Sequence, residues 1–172
     1  EIILKSIKTS ELPRDLLINY YQTYSSFWGH YSISVANNLY GKQQAAYQDS
    51  LFALIDHTSW DYRMSQASYY IWRDTLKSKE IFKELLEIEE VGTPNYAMIT
   101  HSYSRLCHHQ KKYDEEKKYL MLSAIADTRN ATRENASLQS LALIAYDEQN
   151  LADAFKFTQS AIDDVISSGI HF

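Results

Sequence analysis

From residue 141 to 162 the chain reads LALIAYDEQNLADAFKFTQSAI: two apolar-periodic segments split by EQN, with alanines at 142, 154 and 161 and neither Gly nor Pro. Such patterning marks amphipathic helices, and their limits are set by punctuation. In TSELPRDLL, Ser10 is placed as an N-cap and Pro13 falls in the first turn, where its missing N–H is harmless. In HTSWDYRM, Thr58 and Asp61 are spaced as a capping box with Asp standing in for Glu. GTPNYAMI is the sharpest boundary: Gly92 closes one helix, Thr93 caps the next and Pro94 takes its first position. YDEEKKYL puts three acids in a first turn, as the helix dipole favours, and QNLADAF offers Asn150 as a cap. Eight helices are predicted, over 11–26, 30–53 (with a break near Gly41), 59–73, 75–89, 94–110, 113–128, 133–148 and 150–167.

Short turns group these helices into hairpins at 11–54, 59–90, 94–129 and 133–167, expected to form a single domain over 1–172. Aligned on their apolar faces, the second helices place Gln43, Ser78, Glu116 and Ala154 at one equivalent position. Tyr47, Phe82, Leu120 and Thr158 follow four residues on, then Ser50, Leu85, Ser123 and Ala161 after three more. The spacings of 35, 38 and 38 lie near the ~34 of a tetratricopeptide unit, with longer connections. Ala142, Ala154 and Ala161 fall where that unit needs small side chains, because its two helices cross closely there; Ser104 and Ser123 do the same in the third hairpin. The predicted fold is all-α, a tetratricopeptide-like α-α superhelix of four hairpins. Its competitor is an eight-helix bundle with no repeat. One hairpin alone cannot bury its apolar face, whereas stacking makes a continuous core.

Composition agrees with helices. Four Gly and two Pro in 172 residues leave little material for a turn-rich β architecture. Fourteen Tyr supply apolar area with a polar tip, suited to helix packing and to wet grooves. The net charge is −5 with scattered basic residues, so no Lys/Arg stripe marks a nucleic-acid interface, and direct nucleic-acid binding by this chain is not expected. The single Cys107 rules out an intramolecular disulfide and a paired-cysteine zinc site. The longest apolar run, LALIAY, is far too short to span a bilayer. No signal peptide is evident and Glu1 is not a natural start, which reads as an excised or processed segment.

The segment HSYSRLCHHQ concentrates the reactive side chains. His101 and His108 share a helix face but lie two turns, about 10 Å, apart, too far to ligate one zinc, and the neighbour one turn from His101 is Arg105. Cys107 falls at the hairpin seam, where cysteine acts as a small hydrophobe. Carboxylate pairs such as Glu89–Glu90 diverge on a helix, and acid–base chemistry needs convergence. Neither a Gly-rich phosphate loop nor a nucleophile elbow is present. No catalytic residue, metal or cofactor is therefore assigned. The repeat register instead puts the first helix of each hairpin on a concave wall. His101, Arg105, His108 and His109 would stand beside Gln139, Leu143, Tyr146 and Asp147, with Arg63 and Tyr70 contributed by the second hairpin. The wall is polar and aromatic-edged, with an Arg fork suited to a carboxylate.

The stretch KYLMLSAIADTRNATRENASLQSLALIAYDEQNLADAFKFTQSAIDD, with YQDSLFALID and LEIEEVGTPNYAMITHSYSRL, resembles the repeat region of a family of poorly characterised membrane-anchored bacterial regulators of transcription. The resemblance covers most of 30–166 and is strongest over 118–166. In that family an export signal precedes the repeats, and a membrane-spanning helix and a cytoplasmic regulatory part follow. The resemblance implies a periplasmic sensing or interaction region, with any membrane helix and DNA-reading part beyond Phe172, and it carries no catalytic motif. Outside that context the compartment would be cytoplasmic. The expected function is non-enzymatic recognition of a protein segment, peptide or small ligand. The alternative is a structural or dimerising array, in which Phe27, Trp28 and Tyr31 form an exposed contact patch. A metal-binding or hydrolytic reading rests on 101–109 alone.

Overall fold

The computed structural model describes residues 8–35, 38–130 and 135–167. Among these residues the fold is all-α, a set of tetratricopeptide-like hairpins without strands. After a 3-10 turn at Thr9–Glu11, the helices are α1 (Arg14–Val35), α2 (Asn38–Phe52), α3 (Trp60–Tyr70), α4 (Thr75–Ile88), α5 (Pro94–His109), α6 (Tyr113–Asn130), α7 (Asn135–Asp147) and α8 (Leu151–Ser167). The chain forms two compact units, residues 1–62 and 63–172.

In the first unit α1 and α2 pack as a hairpin. Its break lies after Val35, not near residue 26 or at Gly41, which sits inside α2. Gly29 lies within α1, and a Cβ there would stand 2.9 Å from Gln44 Nε2, the far end of a flexible side chain that can move aside. The seam is aromatic. Tyr24 stacks on Tyr47 with ring centroids 4.7 Å apart, and Trp28 on Tyr40 at 5.3 Å. Trp28 is consequently buried, which removes it from the expected surface patch; Tyr31 remains exposed. Ser10 does not cap α1 either. Pro13 holds Leu12 in an extended conformation (φ −83°, ψ 135°), and the first helical bond runs from Leu17 N–H to the Pro13 carbonyl. At α3 the cap is Ser59, whose Oγ accepts from Tyr62 N–H at 3.2 Å; Thr58 is engaged by Asp56, which accepts from its N–H and its hydroxyl.

In the second unit α5 packs on α6 and α7 on α8, with α5 also against α4 and α7 against α6. Thr93 caps α5 by accepting from Tyr96 N–H, with Pro94 in the first turn and Gly92 at φ 92°. Asn150 caps α8 by accepting from Asp153 N–H at 3.3 Å, and Asp74 caps α4 by accepting from Lys77 N–H at 3.1 Å. The α5–α6 and α7–α8 turns are built alike. Lys111 and Gln149, at φ 58° and 60°, take the left-handed position, and Lys112 and Asn150 N–H bond the Cys107 and Ala145 carbonyls at 2.9 Å. These pairs are 38 residues apart, the spacing that aligns Glu116 with Ala154.

The repeat register is visible in burial. Ser78, Glu116 and Ala154 are buried, as are Leu85, Ser123 and Ala161. Hydroxyls at the crossings bond the facing backbone: Ser78 donates to the Ala67 carbonyl at 2.7 Å and Ser123 to the Ala97 carbonyl at 3.0 Å. Phe82 and Leu120 are fully buried, each worth roughly 1.5–3 kcal/mol. Their equivalent in α8, Thr158, is exposed, because no helix among the described residues covers it.

Candidate functional site

The polar residues expected on the concave wall are mostly engaged within their own unit. Arg63 pairs with Glu84 of α4. Lys77 donates to the Tyr70 hydroxyl at 2.9 Å and lies 4.1 Å from its ring centroid. His108 Nδ1 donates to the Glu116 carboxylate at 3.0 Å, fastening the α5–α6 turn, and His109 packs edge-on to Trp72 at 4.4 Å.

His101 belongs to a buried hydrogen-bond chain across α5, α6 and α7. Ser123 donates to Ala97, Ser137 donates to Ser123 at 3.0 Å, and His101 Nδ1 lies 2.9 Å from Ser137 Oγ. Both serine protons are used, so the His101 bond is completed with Nδ1–H donating, and Nε2 keeps its lone pair. Burial, helped by the nearby Arg105 charge and opposed by Asp127, lowers the His101 pKa below the ordinary histidine value. Arg105 itself is exposed and has no ion-pair partner among the described residues.

Cys107 offers no nucleophile. Burial, reinforced by Glu115, pushes its thiol up to about 11, and the adjacent His108 is directed at Glu116. Among the described residues no three His, Cys, Asp or Glu side chains are grouped as a metal set.

The other three wall residues, Gln139, Leu143 and Tyr146, come together in a different setting. They line an open groove of about 610 Å³ between α7 and α8. Ala142, Ala154 and Ala161 form part of its lining, and Ile162, Val165 and Ile166 extend it along α8. The crossing alanines therefore have a second consequence: by leaving little side chain, they open a trough where the helices meet. Leu143, Tyr146 and Ile166 are 65%, 64% and 70% exposed. Lined mainly by apolar side chains, with Gln139, Tyr146 and Thr158 as hydrogen-bonding groups, the groove suits desolvation of an apolar face. Sequence reasoning missed its α8 half. The signal was there in 158, 161, 162, 165 and 166, an apolar stripe wider than a single partner helix fills.

No helix among the described residues is long and apolar enough to cross a membrane. Compared with known families, the chain matches the SusR N-terminal TPR domain over residues 2–171. Neither the curated proteins nor the solved structures yield a match.

Proposed function

Because the chain belongs to the SusR N-terminal TPR domain family, we propose that it is the extracytoplasmic sensing region of a membrane-anchored transcriptional regulator, non-enzymatic, and that it recognises its partner at the last hairpin. Tetratricopeptide membership supports a protein-interaction module of helical repeats. The single observation that carries the site is the open apolar groove between α7 and α8, whose exposed Leu143, Tyr146 and Ile166 form a recognition surface. Occupancy of the groove clamps α7 against α8, and the hydrogen-bond chain through Ser137, Ser123 and His101 passes that restraint to α5 and α6. Arg105 gives the wall beside it a free guanidinium for an acidic group on the same partner.

The test uses the full-length regulator in its host. With protein abundance matched by immunoblot, Leu143→Glu combined with Ile162→Glu abolishes the transcriptional response that depends on the regulator. An unchanged transcriptome removes the groove from the function. Alkaline phosphatase fused after residue 172 is active if the chain is extracytoplasmic; an inactive fusion of normal abundance contradicts that placement.

A further inference from the structure

We infer that the α1–α2 seam of the first unit is a water-binding site, in which one internal water accepts from Trp28 Nε1–H and donates to Gln43 Oε1. The site is separate from the α7–α8 groove and does not depend on what the groove binds.

Two enclosed atoms of opposite character carry it. Trp28 Nε1 and Gln43 Oε1 are buried and have no hydrogen-bond partner among the described residues. An indole N–H can only donate and an amide oxygen can only accept, so the two are complementary, yet they do not bond each other directly. Packing places them in the same part of the seam. Trp28 stacks on Tyr40 with ring planes 15° apart, and Gln43 stands one turn after Tyr40 on α2. One turn further on, Tyr47 stacks on Tyr24 with planes 16° apart. Gln43 therefore lies between two aromatic stacks, and their α1 members, Tyr24 and Trp28, are one turn apart on the facing helix.

The repeat register shows how this position is served in the second unit. Gln43 is equivalent to Ser78 and Glu116, polar residues bonded across their own hairpins. Ser78 donates to the Ala67 carbonyl at 2.7 Å, and Glu116 accepts from His108 Nδ1 at 3.0 Å. In the α1–α2 seam itself Ser25 reaches Gln48 Oε1 directly at 2.7 Å. At Gln43 a water takes the part of the cross-helix partner.

Leaving both atoms dry forfeits hydrogen bonds that the unfolded chain makes to solvent, which outweighs the immobilisation of one water molecule. A buried water typically bonds about three otherwise unpaired groups. The third here is the Tyr24 hydroxyl, enclosed and without a partner at hydrogen-bond distance among the described residues. Tyr20, whose pKa is raised by burial and by Tyr24, is a second neighbour of that hydroxyl, so Trp28 and Gln43 define the site. A larger polar molecule would have to part both stacks, which leaves water as the occupant.

Water-selective NOE and ROE spectra of the isotope-labelled chain test the inference. The indole N–H signals of Trp28, Trp60 and Trp72 are assigned with Trp→Phe variants. Trp28 Nε1–H shows an NOE to water of the sign that marks a long-lived bound molecule, whereas Trp72, 56% exposed, does not. The signal persists in Tyr24→Phe, which removes proton exchange through the hydroxyl, and is lost in Gln43→Met. Gln43→Met also lowers the urea midpoint while keeping native circular dichroism. Absence of the Trp28 signal in the unaltered chain overturns the inference whether or not the variants fold. A signal that disappears in Tyr24→Phe, or survives Gln43→Met, overturns it as well. So does a higher urea midpoint in Gln43→Met, the mark of an acceptor that had been left unpaired.

Discussion

His101 carries a pH signature. Burial holds its folded pKa below the ordinary histidine value, so the unfolded chain binds the extra proton more readily. The stability it contributes is complete above the ordinary histidine pKa and is lost as pH falls towards the folded value. Denaturant melts between pH 7.5 and 5 therefore show falling stability, and His101→Gln flattens that slope; an equal slope in the variant contradicts the buried neutral assignment. At Thr93 the prediction concerns the α5 cap: Thr93→Ala costs about 1 kcal/mol, read as a lower urea midpoint with unchanged m. The sequence revealed the residue types on the α5 face, because period and spacing place His101, Arg105 and His108 together. What each side chain bonds was not legible, since Glu84 and Ser137 reach Arg63 and His101 across helix contacts that one-dimensional spacing does not encode. The aromatic seam was misread for the same reason: Trp28 looks exposed until Tyr40 is folded against it.

At the scale of the helical hairpin, two turns 38 residues apart hold non-glycine residues in the left-handed region. Lys111→Gly and Gln149→Gly each relieve that conformation, which costs L residues roughly 1–2 kcal/mol, and each raises the melting temperature. No change, or a loss, in both variants contradicts the turn geometry. The crossings give the opposite prediction. Ser123→Leu overpacks the α5–α6 seam and removes the bond to Ala97, costing about 1–3 kcal/mol in chemical denaturation. Thr158→Leu lies on the uncovered face of α8 and changes stability by less than about 0.5 kcal/mol. Helix limits in the second unit were legible where punctuation is strong, as at Gly92–Thr93–Pro94 and Asn150. In the first unit the helix end expected near residue 26 lies at Val35 and the break expected near Gly41 falls inside α2, where no proline or strong cap in the sequence marks the turn.

Over the whole chain, tetratricopeptide membership agrees with the 38-residue register of the second unit, and the α7–α8 hairpin exposes Leu143, Tyr146, Ile162 and Ile166. An exposed apolar face of this kind gains free energy when a partner covers it and removes it from water. The most direct measurement replaces Leu143 by p-benzoylphenylalanine in the full-length regulator and irradiates intact host cells, with the same replacement at exposed Glu80 of α4 as control. The account predicts an adduct at 143 that maps by mass spectrometry to one segment of a partner and is lost on Ile162→Glu. No adduct at 143, or the same adduct at 80, contradicts it.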